Sequence, residues 1–354
     1  MLFFVVLTLA ALGVAMVFSS SAVVAKEKFG DANYFALKQV VAAVLGLGLM
    51  FVVMKVDYHV YRHPAVVFSL LAIVVSLLVV AFFMPSQANT HRWIPMPGFS
   101  IQPSELGKLA LVVFLAFFLE KRESRVNDVM FTLVPIGIIV ALIAGLIVIQ
   151  PDLGTALSML IVSAILLFVA GLDLGYYAAS VLLAAPAFYF LVYRVKYRRD
   201  RILAFLDPEA DPLGKGFQII QSKIALGGGG LLGTGFMEGK QKLFYLPEAH
   251  TDFIFAVIGE ELGLIGTCFV LCLFVAFFWR GIRTAMRAPD RFGFFLALGI
   301  TMMIAAQSFV NMSVVLGLMP TKGIPLPFLS YGGSSFVVTL ASVGILLNVS
   351  QQAS

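Results

Sequence analysis

Charge is what this chain has least of. Asp, Glu, Lys and Arg make up 12% of its 354 residues, where soluble domains average about 25%. That scarcity excludes a disordered chain, a coiled coil and an ordinary cytosolic enzyme. Cysteine is nearly absent, and Cys268 and Cys272 cannot build a disulfide framework. Their i,i+4 spacing inside one apolar run reads as two small apolar residues of a helix. The four histidines, His59, His63, His91 and His250, show no metal-ligand spacing. There is no Walker A sequence, no HExxH pair and no serine elbow. Gly228, Gly230 and Gly233 spell GxGxxG, but no buried strand precedes them, so flexibility or close backbone approach explains them better than a dinucleotide. The net charge of +5 is small, and no nucleic-acid partner is expected.

Apolar residues are what the chain has in excess. They make up 60% of it, more than one soluble core can bury. The class this leaves is an all-α polytopic membrane protein. A helix needs roughly 20 mostly apolar residues to cross a bilayer. Ten segments fit: 2–24, 36–54, 64–84, 102–119, 130–149, 153–171, 174–194, 253–279, 292–319 and 332–349. The first has a long apolar run and no basic lead, so it reads as an uncleaved helix rather than a signal peptide. Residues 1–354 thus form one membrane unit of ten spans, with both termini on one side. The short even-numbered loops carry Lys55, Arg62, Lys121, Arg122, Arg125, Arg280, Arg283, Arg287 and Arg291, against Lys26, Lys28, Arg92 and Lys322 in the odd ones. Positive charge stays inside, which makes both termini cytoplasmic. The one long loop, 195–252, is then extracytoplasmic. Its mixture of Gly, Pro, apolar and polar residues suggests an ordered lid holding short helices. Trp93 and Trp279 sit near span ends, as interface anchors do.

Ionisable residues inside spans are costly and therefore functional candidates. IQPSELGK opens the fourth span and puts Glu105 and Lys108 at i,i+3 on one face. They either neutralise each other so that the helix inserts, or shape a polar cavity. IQPDLG precedes the sixth span, where Asp152 reads first as an N-cap. The eighth span begins HTDFIFAVIGEELG, with Asp252 at its mouth and Glu260 and Glu261 two turns deeper. Asp252 is either an N-cap or a general base tuned by partial burial and nearby cations. The link NMSVVLGLMPTKGIPLPFLSYGGSS breaks regular helix with Pro320, Pro325 and Pro327 and supplies Lys322, Ser330, Tyr331, Ser334 and Ser335. Irregular backbone at membrane depth belongs against protein or a watery cavity, which points to a ligand wall.

These four stretches, with YLPEAHTD before the eighth span, closely resemble the SEDS family of shape, elongation, division and sporulation proteins. The PEAHTD form looks more like the FtsW, or division, branch than the RodA, or elongation, branch. The resemblance implies a peptidoglycan glycosyltransferase of the bacterial cytoplasmic membrane that polymerises lipid II on the outer face. It implies a class B penicillin-binding protein as crosslinking partner, other divisome or elongasome membrane proteins, and a divalent cation, magnesium or manganese, with unknown ligands. The family's essential aspartate maps onto Asp252.

The chemistry suits these residue types. One displacement with inversion at the donor carbon needs a base for the acceptor hydroxyl, here Asp252, and cations for the leaving pyrophosphate. Lys322, Arg92, Arg201, Lys223 and Lys240 are candidate phosphate clamps, with Ser330 and Ser334 as further donors. Glu105, Lys108, Asp152, Glu260 and Glu261 are candidates for cavity structure. Two other classes compete: a lipid II flippase, which needs a polar path to both faces, and a non-catalytic scaffold for the penicillin-binding protein. Neither should depend on the Asp252 carboxylate alone.

Overall fold

The computed structural model describes residues 1–85, 90–96 and 99–353. Ten helices form the bundle: α1 (Leu2–Phe29), α2 (Tyr34–Lys55), α3 (Pro64–Phe82), α4 (Pro103–Arg122), α5 (Val134–Ile149), α6 (Leu153–Val169), α7 (Leu174–Phe188), α10 (Ile254–Met286), α11 (Arg291–Val315) and α12 (Gly333–Gln352). Between α7 and α10 lie two short helices, α8 (Lys196–Leu206) and α9 (Phe217–Gly228). A two-stranded antiparallel ribbon, β1 (Ile94–Met96) and β2 (Phe99–Ile101), precedes α4 and was not legible in the sequence. The span boundaries shift at several ends. Helix α1 runs on to Phe29 before Gly30 turns it off, α10 runs on to Met286, and α11 stops at Val315.

Eight described helices are long and apolar enough to cross a membrane, α5 and α7 being counted with the wider turns that adjoin them, as Val129–Ile149 and Leu174–Tyr193. The other two bundle helices miss that mark for visible reasons: α6 has 17 residues, and α4 carries Glu105, Lys108, Glu120, Lys121 and Arg122. Proline sets the first turns of α3 and α4, where its missing N–H is not needed. Asp290 caps α11 by accepting from Gly293 N at 2.8 Å.

Helices α4 and α11 form the centre, packed by α3, α6, α10 and α12. Helix α7 stands at the edge. Within its apolar stretch 6% of residues are buried, against 67% for α11, so its greasy surface faces lipid. At the far end of the bundle the α2–α3 turn meets the start of α11. There Tyr58 donates to Asp290, while His59 lies 2.7 Å from Asp57 and 3.0 Å from Asp290. The site described below lies at the other end, where α4, α6, α10 and α12 begin.

Helix α10 is not continuous. Gly263 has φ 64° and ψ −163°, a conformation that favours glycine. The break frees backbone groups that residues 229–235 then satisfy: Thr234 N donates to Glu260 O at 2.9 Å and Gly235 N to Glu261 O at 3.1 Å, while Leu264 N donates to Gly230 O at 2.9 Å. The approach is close enough that a Cβ on Gly233 would lie 2.1 Å from Glu261 O. Close backbone contact, the alternative to a dinucleotide loop, is therefore the role of this glycine run.

Candidate active site

Irregular backbone at the bundle end is held by amides from the core. On α11, Gln307 donates to Pro325 O at 2.9 Å, and Asn311 donates to Ile324 O at 2.7 Å and to Asp252 O at 2.8 Å. Ser330 donates to Thr251 O at 2.5 Å and accepts from Leu326 N at 2.7 Å, and Tyr331 N donates to His250 O at 2.9 Å. The 320–332 segment and residues 250–252 are thus stitched into one wall. The residues between Val315 and Gly333 cannot run as helix through three prolines, so their carbonyls need these donors.

Behind the wall is a cavity of about 200 Å³. Asp252, Thr251 and Glu248 line one side and Gly323, Ile324, Pro325 and Tyr331 another. Helix α4 contributes Gln102, Glu105 and Lys108, α6 contributes Thr155 and Ser158, and the β1 ribbon brings Arg92 and Trp93. Trp93 therefore lines the cavity.

Asp252 is half-buried at this cavity, and the cap of α10 is Phe253 with no side-chain bond. Among the described residues the Asp252 carboxylate accepts no hydrogen bond and forms no ion pair, so capping is not its duty. Burial, then the like charge of Glu248 and of Asp152, push its pKa up to about 7 against the opposing Arg201 and Arg92. An acid raised toward neutrality can take up a proton more readily than an ordinary carboxylate.

The other candidates fall into three groups. Glu105 and Lys108 join Asp252 in the cavity as a buried ion pair at 2.9 Å, and Lys108 also donates to Gln307 at 2.6 Å. Arg92 joins them with its guanidinium tied to the carbonyls of Gln150, at 2.8 Å, and Pro151. A second group sits at the cavity's margin. Lys322 is half-buried and forms no ion pair among the described residues, and burial pushes its pKa down. Arg201 reaches Thr321 O at 3.2 Å from α8. Asp152 caps α6, accepting from Thr155 N at 3.1 Å. Ser330 donates its hydroxyl to the wall and is not a free donor, whereas Ser334 accepts from Gln102 N at 3.2 Å through its oxygen and keeps its own O–H.

The third group lies elsewhere. Lys223 is exposed on α9 against Gly317. Lys240 is exposed, with its backbone N donating to Glu260 at 2.7 Å. Glu260 also accepts from Gln241 N at 3.1 Å. Glu261 pairs with Lys242 at 2.5 Å and accepts from Ser19 at 2.6 and 2.7 Å. Both acids hold residues 237–242 against α1 and α10 and do not line the cavity. Glu248, Gln307 and Asn311 were not singled out from the sequence. The two amides, i,i+4 in an otherwise apolar span, were the available signal.

Because Glu105 and Lys108 are each nearly inaccessible, removing one leaves a lone buried charge, which typically costs about 3–5 kcal/mol. Glu105→Ala should lower folded yield together with activity. Normal yield of that variant, measured by size-exclusion chromatography in detergent, would count against the structural pairing.

The family model described as "Cell cycle protein", for FtsW, RodA and SpoVE, matches residues 1–354. A "Probable peptidoglycan glycosyltransferase FtsW" of Geobacter sulfurreducens is 50% identical over 342 residues, covering 96% of this chain and 91% of that protein. Stage V sporulation protein E of Bacillus subtilis is 44% identical, covering 99% of this chain and 96% of its own. A solved structure described as "Structural coordination of polymerization and crosslinking by a peptidoglycan synthase complex" superposes with TM-score 0.78 at 32% identity, covering 99% and 96% of the two chains. A full-length family match, half-identical relatives and a shared fold leave one conclusion: the chain belongs to the FtsW/RodA/SpoVE family of SEDS membrane proteins.

Proposed function

We propose that this protein is a peptidoglycan glycosyltransferase that polymerises lipid II at the outer face of the bacterial cytoplasmic membrane. The observation that carries the reading is an aspartate whose carboxylate has no hydrogen bond or ion pair among the described residues, at a cavity at one end of the bundle, where burial pushes its pKa up. Asp252 takes the proton of the acceptor hydroxyl as that oxygen bonds the donor's anomeric carbon. The bond from that carbon to the lipid diphosphate breaks, and the configuration inverts. Lys322, Arg92 and Arg201 would offset the negative charge that develops on the leaving group.

A divalent cation fits this site in one respect. Magnesium is usually held by one or two carboxylates plus substrate phosphates, and Glu248 lines the cavity with no cation paired to it among the described residues. No group of three or more metal-ligating side chains stands together among the described residues. Glu248 would hold the ion, which would neutralise diphosphate charge.

The flippase reading needs a polar path through the bundle. Below Lys108 there is a void of only about 10 Å³, walled by Leu111, Val112, Met159, Val162 and Met303. That packing favours chemistry at one face. The reading also takes a class B penicillin-binding protein as the crosslinking partner, supported by the structural likeness to a synthase complex, and a place in septal synthesis, supported by the FtsW relatives. Purified protein should convert purified lipid II to glycan strands on gels, more so with the partner added. No product under either condition would sink the assignment.

The same reading puts the termini and the 120–126 turn in the cytoplasm. A cysteine introduced at Arg125 should resist a membrane-impermeant maleimide in intact cells and react after permeabilisation. Efficient labelling of intact cells would reverse the orientation.

A further inference from the structure

Residues 194–201 read RVKYRRDR, with five cations and one acid. The acid, Asp200, is already taken by Lys215 at 3.1 Å. Arg194, Lys196, Arg198, Arg199 and Arg201 make no ion pair among the described residues. The segment follows directly on α7, the most lipid-exposed helix, and bends out of it at 194–195 to start α8. Exposed Tyr193, Tyr197, Leu203 and Leu206 accompany the cations. Tyrosines beside arginines at the end of an apolar helix mark the headgroup level of a bilayer. Stacking holds some of the cations in place: Arg201 lies 4.4 Å from the Tyr197 ring and Arg199 5.8 Å from Tyr193. The row does not end in solvent. Arg201 reaches Thr321 O on the cavity wall, and its charge is felt at Asp252. Unneutralised positive charge therefore runs from the lipid boundary at α7 to the margin of the cavity.

We propose that residues 193–206 are a docking surface for a diphosphate-bearing lipid in the leaflet beside the cavity, and that the substrate enters laterally along it. This rests on the glycosyltransferase reading for the identity of the lipid. Charge complementarity fits such a headgroup, since each Lys or Arg at a bilayer surface adds to the attraction of anionic lipid. Continuity with Arg201 and Thr321 distinguishes it from a general anchor, which has no need to adjoin the site.

The test is steady-state polymerisation in zwitterionic phosphatidylcholine nanodiscs. The variant Arg194→Gln/Lys196→Gln/Arg199→Gln should raise KM for lipid II by roughly 10–100-fold with kcat little changed. Rising salt should raise KM of the wild type and affect the variant much less. The control Lys55→Gln/Arg125→Gln/Arg287→Gln removes the same charge at the other end of the bundle and should leave KM unchanged. A triple variant with wild-type KM overturns the docking surface and leaves the enzyme reading intact. An effect seen only after phosphatidylglycerol is added would make bulk anionic lipid the occupant and overturn it too. Binding of a polyprenyl diphosphate to Asp252→Asn in the same nanodiscs gives the independent readout. Binding should weaken when the three cations are removed, and inorganic pyrophosphate should not displace the lipid at equal concentration; effective displacement would make this a free-phosphate site. A wild type that binds the lipid through these cations yet makes no glycan would sink the enzyme reading and keep the docking surface.

Discussion

Asp252→Asn should abolish lipid II polymerisation while leaving folded yield at the wild-type level. The carboxylate holds no backbone N–H and no cation among the described residues, so the amide removes no structural bond. General base catalysis contributes about 10²–10⁴-fold, and the loss should be at least of that order. The pH profile tests the same group. Burial, with the charge of Glu248 second, raises the Asp252 pKa from 3.8 to about 7. A base works ionised, so the rate should climb with pH through about 7 and level off above it. The sign for stability is opposite. Between pH 3.8 and about 7 the folded carboxyl keeps a proton that the unfolded one loses, so stability falls as pH rises through that window. At pH 8 Asp252→Asn should melt no lower than the wild type. Polymerisation by purified Asp252→Asn at near wild-type rate would remove Asp252 from catalysis.

The largest effect on stability is expected at Glu261. Its side chain is inaccessible, as is nearly all of Lys242. Besides Lys242 it accepts from Ser19 and from Met237 N at 3.1 Å. Glu261→Ala strands the Lys242 ammonium and orphans two other donors, a loss of about 3–5 kcal/mol or more. The melting temperature in detergent should fall by on the order of 5–10 °C. Activity should fall with it, because residues 237–246 lead directly to Glu248 and Asp252. Glu261→Gln/Lys242→Met leaves no bare charge and should recover part of the loss. A Glu261→Ala melt within about 1 °C of the wild type would show that the pair is not holding the loop.

The ten helices were legible because crossing hydrocarbon demands about 20 apolar residues in a row, a requirement written locally in the chain. Charge in the short loops and the acid at the mouth of α10 were legible for the same reason: each is costly where it stands and needs no distant residue to be noticed. The unpaired state of Asp252 was not legible. An aspartate before a helix reads equally as a cap or a base until the neighbouring N–H groups are located. Glu260 and Glu261 read as polar groups in a span, yet their partners are Lys240 N, Gln241 N, Lys242 and Ser19, the last 242 residues away. Ser330 read as a ligand donor, and the fold spends its O–H on the backbone carbonyl of Thr251. The string GEELG carries no local sign that Gly263 interrupts the helix, since the groups that satisfy the break come from residues 229–235.

Composition and local spacing by themselves determined the class of protein, the number of helices and the residues costly enough to matter. Tertiary structure alone decided which of those charges are satisfied. Pairing is a property of atoms brought within about 3 Å across long stretches of chain, and only the fold shows that Glu105, Lys108, Glu260 and Glu261 are neutralised or hydrogen-bonded while Asp252 is left free to act.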